Sequence, residues 1–402
     1  MIFDRLSRPK AAITESSELA AIVNANQSLS GASVTPTSAM RVSAFYACVM
    51  VLAETIAQLP LILYERSGNK KDRAIARNLY YLLHDAPNDF QTSFDWRLGL
   101  TVDVCLEGAG YSFINRSATT NEILELLPLR ANRVQVKQNK DYSIWYVFTD
   151  SDGVEIPLRQ DQVFRLNGLT FDGVKGLSIL DYQRETIGMA ISTNKNSAKS
   201  FSNGAKLSGI LSHPTRLKDE EVSKRIRESW DSAFSGDDAY KTALLEEGMT
   251  WQQVSMTNKD AQYLESRKFS IEEIARIFRM PPHKIGHLEK STNNNIEHQG
   301  LEFVTDTMMP WFKRWEQSIA RDLIGKDNRK KYFAEFLVDG LMRGDSAARA
   351  SFYQTMIQNA VYSPNEVRRK ENENPYKGGD VYFRPMNMEP IGTENDISQQ
   401  KK

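Results

Sequence analysis

Cysteine is nearly absent from this chain: 402 residues contain two, Cys48 and Cys105. Both stand in apolar surroundings, "FYACVMV" and "TVDVCLEG". That speaks against a disulfide framework, and two buried free thiols in a reducing compartment are expected. Uninterrupted hydrophobic runs are also missing. The longest candidate, "FYACVMVLAETIAQLPLILY", is broken by Glu54, Gln58 and Pro60, so it reads as a helix entering a strand and not as a membrane span. The first residues, "MIFDRLSRPKAAITESS", lack the apolar core of a secretory signal. A soluble, intracellular protein with no membrane partner is expected. An excess of one charge is absent too. Lys+Arg and Asp+Glu both number 51, giving a net charge of +0. A protein that grips duplex DNA tightly over its surface carries a basic excess that displaces counterions. Tight, non-specific DNA binding is therefore not expected, whereas a local DNA contact remains compatible with the balance.

Catalytic signatures are scarce as well. No GxxxxGK[ST] is present to cradle nucleotide phosphates, no GxGxxG follows a strand, and no GxSxG elbow occurs. No cofactor is expected. The one stretch that invites a chemical reading is "RMPPHKIGHLEKSTNNNIEHQ", which holds His283, His287 and His298, three of the five histidines. Spacing of four residues stacks two imidazoles only on a regular helix. Pro281, Pro282 and Gly286 argue against one, and no Glu lies between the pair as in HExxH. A metal-dependent hydrolase or nuclease using His283, His287 and His298 is the alternative reading of this segment.

The pattern along the chain is α+β. Residues 1–38 are polar and read as a loosely ordered arm. Ser43 can cap a helix reaching Gln58, with Phe45, Val49, Leu52 and Ile56 on its apolar face. Pro60 ends it, "LILYER" follows as a strand, and a second helix runs around Trp96 to Cys105. "YSFINR", "EILELLPL", "RVQVKQ", "SIWYVFTD" and "QVFRLNG" then read as strands of an antiparallel sheet region. A long helix follows with Ser178 as its cap, carrying little apolar surface in its second half. Residues 206–257 read as a β-α-β insertion, and a helix over 260–279 is ended by Pro281 and Pro282. The next helix starts on Asn294 and Glu297, presents Val304, Met308, Trp311, Trp315, Ile319 and Leu323 on one face, and should kink at Pro310. The strand "YFAEFLV" and two short helices, the second opened by Ser363, Pro364 and Glu366, complete the chain.

The order of these segments resembles the portal proteins of tailed bacteriophages, the HK97-type portal family. The resemblance is carried by "SAFYACVMVLAETIAQLPLILYE", "EGAGYSFINR", "GLSILDYQRETIGMA", "LLEEGMTWQQVSMTNKDAQYLESRKFSIEEIARIFRMPPHKIG", "STNNNIEHQGLEFVTDTMMPWFKRWEQSIARDLI" and "NEVRRKENENPYKGGD". The commoner family form has "FGVPP" where this chain has "FRMPP". The resemblance implies a multidomain subunit of a homo-oligomeric ring, typically a dodecamer, at one capsid vertex. It implies a flexible arm at 1–38, a wing at 39–175 and a stem helix at 176–205. A clip at 206–257, a second stem helix at 258–280 and a wing re-entry with tunnel loop at 281–295 follow. The long helix and a wing strand occupy 296–343, and a crown and tail 344–402. Such a ring would pass double-stranded DNA without reading its sequence and would dock the large terminase, the head-tail connector or adaptor, and major capsid and scaffold proteins. No catalysis is implied. The residues so implicated are Glu289, Lys290, Ser291, Thr292, Asn293, Asn294 and Asn295 in the tunnel loop, Lys195 and Lys199 on the stem, and Glu220, Lys224 and Arg227 on the clip.

Overall fold

The frame is assembled from segments far apart in sequence, and the computed structural model shows which ones. It describes residues 27–68, 70–202, 209–212, 214, 224, 228, 249–253, 257–287, 299–338, 346–371 and 373–383. These fall into two compact units, Met1–Leu337 and Val338–Lys402.

Residues 27–38 are not part of a loose arm. Gln27 bridges to Ser33 around a left-handed Gly31, and Ser28 and Val34 are buried at 5% and 4% exposure. The Leu29 amide donates to the Glu185 carboxylate over 2.8 Å. The polar composition concealed this because the partners lie more than 150 residues downstream, at Glu185 and at Gly188, where a Cβ would meet the Ser28 hydroxyl at 2.2 Å. Residues 1–26 lie outside the described residues. Thr35 and Ser38 then form a reciprocal cap that opens helix α1, Pro36–Met40.

Helix α2, Ser43–Gln58, buries Phe45, Val49, Leu52 and Ile56 as the periodicity requires. Ser43 is its first helical residue and not its cap; Val42 occupies that position without a side-chain bond. The chain turns at Pro60 into β1, Leu61–Ser67, which pairs antiparallel with β2, Lys70–Arg73. A short helix α3, Asn78–His84, leads to α4, Ser93–Glu107, which the Thr92–Asp95 capping box opens and a left-handed Gly108 closes. Arg97 is buried on α4 and donates to the carbonyls of Ser93 and Leu59, satisfying the end of α2.

Two three-stranded antiparallel sheets follow. Strands β3, Ala109–Arg116, β4, Ile123–Leu129, and β8, Val163–Asn167, pair in the order β4-β3-β8. Strands β5, Val134–Gln138, β6, Ile144–Thr149, and β7, Glu155–Arg159, pair in the order β5-β6-β7. The sequence reading passed over β7, because this edge strand is mostly exposed and contains Pro157. Tyr111, Leu129, Ile144, Tyr146, Leu158 and Val163 form the core that joins the sheets.

The long helix downstream is not regular. After helical residues 299–302 it widens into a π-helical segment, Phe303–Met308, continues as α8, Met309–Ile319, and widens again over Ala320–Ile324. Pro310 lacks an amide hydrogen and its ring crowds the carbonyl four residues earlier, so a wide turn immediately before it is the local response. That turn shifts the helical phase. Met308, Trp315, Ile319 and Leu323 are buried as expected, but Phe312 is buried where Trp311 is only half-buried. Trp315 meets Trp96 edge-on at 5.3 Å and Phe164 at 5.9 Å, locking α8 to α4 and β8. Strand β11, Tyr332–Phe336, completes the first sheet in the order β11-β1-β2.

The second unit contains helices Ser346–Gln358 and Pro364–Lys370, the latter opened by the Ser363–Glu366 capping box. Asn365 is 1% exposed and its side chain bonds both the amide and the carbonyl of Tyr376, folding the following segment back on the helix. No helix among the described residues is long and apolar enough to cross a membrane.

Candidate functional site

The feature that distinguishes this chain is a pair of helices whose polar ends leave the core. Ser178 caps only a single turn, α5, Ile179–Tyr182, by accepting from the Leu180 amide, while its hydroxyl donates to the Leu106 carbonyl over 2.7 Å. Gln183 then leaves helical geometry, and the long helix α6 runs as Arg184–Ser202. The sequence reading had one continuous helix here; the non-helical backbone of Gln183 interrupts it. Ile187 and Ala190 are buried on α6, but no described residue from Ile191 to Ala198 is. A second helix, α7, Thr257–Ile277, packs along α6. It buries Ile274 and Ala275, and Phe278 just beyond it meets Phe45 edge-on at 5.3 Å. Glu265, Arg267, Lys268 and Phe269 further back are exposed. Among the described residues the buried positions of each helix thus lie toward one end.

Strands β9, Gly209–Ser212, and β10, Thr250–Gln253, pair antiparallel beyond these helices, from Gly209 with Gln253 to Ser212 with Thr250. Between them Lys224 and Glu228 are helical and exposed, with their charged groups 4.0 Å apart. Such a solvated pair contributes little to stability. Glu220 and Arg227 lie outside the described residues. Lys195 is exposed on α6, and Lys199 lies on the same helix with its side chain outside the description.

The histidine segment becomes a clasp. After α7, Arg279 takes a left-handed φ of 51°, and Pro282–Ile285 forms a 3-10 turn closed by Gly286 at φ 81°. This tight turn removes the regular helical face that His283 and His287 would need to share a metal. His283 Nδ1 instead lies 2.8 Å from the Gln299 side-chain oxygen. His287 faces Glu272 on α7, with Nε2 and Oε1 3.8 Å apart. Lys284 lies over the Phe303 ring at 5.8 Å, and the Thr307 hydroxyl donates to the Arg279 carbonyl over 2.8 Å. His283, Lys284 and Arg279 precede residues 288–298; Gln299, Phe303 and Thr307 follow them. Three contacts thus fasten the two ends of one segment together. His298 and the implicated residues Glu289, Lys290, Ser291, Thr292, Asn293, Asn294 and Asn295 lie outside the described residues, as does the Asn294–Glu297 cap. Among the described residues no three His, Cys, Asp or Glu side chains converge as a metal site.

Electrostatically the clasp is mixed. Arg276 pairs with Glu273 on α7, and Glu272 stands opposite His287. Gln299, Phe303 and Thr307 were not singled out from the sequence. Only the matched spacing of contacts on either side of the segment reveals them, and that spacing exists in three dimensions alone. Both cysteines are buried and free, and burial pushes each thiol up to about 12.

The family model described as "Phage portal protein" matches residues 43–372. The portal protein of Enterobacteria phage HK97 is 32% identical over 373 residues, covering 92% of this chain and 87% of that protein. The probable portal protein of Streptomyces phage phiC31 is 31% identical over 380 residues, covering 91% of this chain and 82% of that protein. Among solved structures, a chain from the neck of an empty gene transfer agent particle, computed with C6 symmetry, superposes with a TM-score of 0.62 at 21% identity. That match covers 85% of this chain and 94% of the other.

Proposed function

The chain belongs to the phage portal protein family, and from that premise we propose that it forms a closed ring at one capsid vertex through which double-stranded DNA enters and leaves. The observation that carries this reading is the clasp of His283 to Gln299, which fastens the base of residues 288–298 where the α6–α7 pair leaves the core. In this reading α6 and α7 are the stem, residues 206–257 the clip and residues 344–402 the crown. The segment between the clasped ends is the loop presented to DNA. Its Glu289 and Lys290 nearly cancel, and Ser291, Thr292 and three asparagines offer short neutral donors and acceptors.

The electrostatics suit a conduit. Every phosphate that a protein neutralises adds salt-dependent affinity, so a channel that must let DNA slide is better served by balanced charge. A ring repeats each residue once per subunit, so even one lysine becomes a belt of positive potential. Lys195 and Lys199 on α6 would supply such belts, and the contacts would be to the DNA backbone without base readout. Lys224, which is exposed, together with Glu220 and Arg227, would dock partners on the clip: the large terminase during filling and the head-tail connector afterwards. Major capsid and scaffold proteins would surround the wing. The role is structural, with no reaction of its own and no cofactor.

Electron microscopy of the purified full-length protein tests the ring: particles with a central hole are expected, and lone subunits at micromolar concentration would overturn it. DNA packaging by Lys290→Ala combined with Asn293→Ala tests the loop. Reduced packaging or retention is expected, and unchanged packaging would remove the loop from DNA contact.

A further inference from the structure

A pocket of about 320 Å³ opens where α2, α4, α5, the end of α7 and the wide turn before α8 meet. Leu52, Val104, Leu169, Tyr182, Phe278 and Trp311 supply its apolar wall. Its mouth is uncovered: Leu169, Phe171 and Tyr182 are 55%, 76% and 57% exposed, with Phe171 and Tyr182 meeting edge-on at 6.1 Å. An aromatic and aliphatic rim of this kind marks an interaction site more often than bare surface.

Two cations line the same pocket. Arg314 lies over the Trp311 ring at 5.1 Å from its centre. Arg279 is held in its left-handed conformation by the Met280 amide donating to the Ala275 carbonyl and by the Thr307 hydroxyl. Burial and the neighbouring Arg279 charge both push the Arg314 guanidinium below its ordinary range. The one carboxylate of the lining, Asp306, accepts from the Thr305 hydroxyl. By contrast Arg184, Arg276 and Arg321 have Asp181, Glu273 and Asp322 as partners. Among the described residues neither Arg279 nor Arg314 forms an ion pair. Arg279 is exposed and Arg314 half-buried, and two like charges beside apolar walls suit an occupant that brings carboxylates and aliphatic side chains together. A DNA phosphate brings the charge without the apolar surface.

The course of the chain points to that occupant. The described part begins at Gln27, and the Leu29 amide donates to Glu185, two residues from Gln183 in the pocket lining. Gln27, to which the first 26 residues are joined, is thus anchored a short way from this pocket. Within them residues 13–22, "ITESSELAAI", carry Glu15 and Glu18, no base, and Ile13, Leu19 and Ile22. Glu18 stands nine residues before Gln27, a stretch that spans up to ~30 Å when extended.

We propose that this pocket receives residues 13–22 of the chain itself, with Glu15 and Glu18 meeting Arg279 and Arg314 and the aliphatic side chains covering Trp311 and Tyr182. The occupied pocket ties α5, the end of α7 and the turn before α8 together, and so braces the Arg279–Thr307 contact at the clasp. The proposal concerns the subunit alone and does not depend on the passage of DNA.

Hydrogen exchange of the full-length protein tests it. In the double variant Glu15→Lys with Glu18→Lys, amides over 169–183 and 306–314 should exchange at least about twofold faster, and adding Arg279→Glu with Arg314→Glu should restore protection. Both first changes lie in the docked segment, outside the frame, so the fold is not at stake. Unchanged exchange in the first variant would overturn the proposal. So would protection that is lost on dilution alone, which would assign the pocket to another surface of a second copy. Protection regained by the first variant with inorganic phosphate or short duplex DNA would overturn it as well, in favour of a phosphate.

Discussion

The Trp96–Phe164–Trp315 cluster and the His283–Gln299 clasp both join the long downstream helix to the rest of the molecule, by opposite means. In the cluster three large rings interlock, Trp96 and Trp315 are 1% and 0% exposed, and the Trp96 indole donates to Ser112 over 2.9 Å. The clasp relies on one side-chain hydrogen bond, one cation over a ring and one hydroxyl to a carbonyl. Burial of aromatic area contributes several kilocalories per mole, whereas partly hydrated single contacts contribute about 1 kcal/mol or less each. The cluster is therefore the stronger of the two joints, and the clasp should open at lower cost.

The comparison breaks most severely at Trp315. Trp315→Ala should lower unfolding stability by about 3–5 kcal/mol, read as a shift of the urea midpoint, and a change below about 1 kcal/mol would mean that the cluster does not frame the molecule. The next effect lies within the frame. Burial, reinforced by Glu107 one turn away, raises the Asp103 carboxyl from 3.8 to about 7. The fold thus favours the protonated acid, and this contribution is present below about pH 4 and lost as pH rises through about 7. Melting temperature followed from pH 4 to 8 should decline accordingly, and Asp103→Asn should flatten that decline and be the more stable protein at the alkaline end. A decline of equal slope in the variant would assign the titration to other groups. The smallest effect belongs to the clasp. His283→Ala should change global stability by less than about 1 kcal/mol while amides from Gln299 to Phe303 exchange faster. A large global loss would show that the clasp belongs to the frame after all.

Much of the frame was legible in local sequence, and the reasons are specific. The α2 face of Phe45, Val49, Leu52 and Ile56 is buried, and Ser363 with Glu366 forms the cap that its spacing announces. These features depend on neighbours within four residues. Ser178 shows the limit: it caps as expected, but the turn it opens ends at Gln183, and its hydroxyl is tied to Leu106, 72 residues away. Likewise the wide turn before Pro310 puts Phe312 in the core, although the regular period favours Trp311. At the site, the histidines drew attention for their spacing, yet their partners are Gln299 and Glu272. No pattern within the segment could name either.

By itself the sequence determined most of the described helices and strands, the absence of charge excess, and the family to which the chain belongs, because periodicity, capping and segment order are written along one dimension. Tertiary structure alone decided that residues 27–34 dock on α6, that His283 and Gln299 close a segment between them, and that two arginines without an ion pair among the described residues share a pocket. Each of these joins residues remote in sequence, and the energy of a contact depends on distance in space.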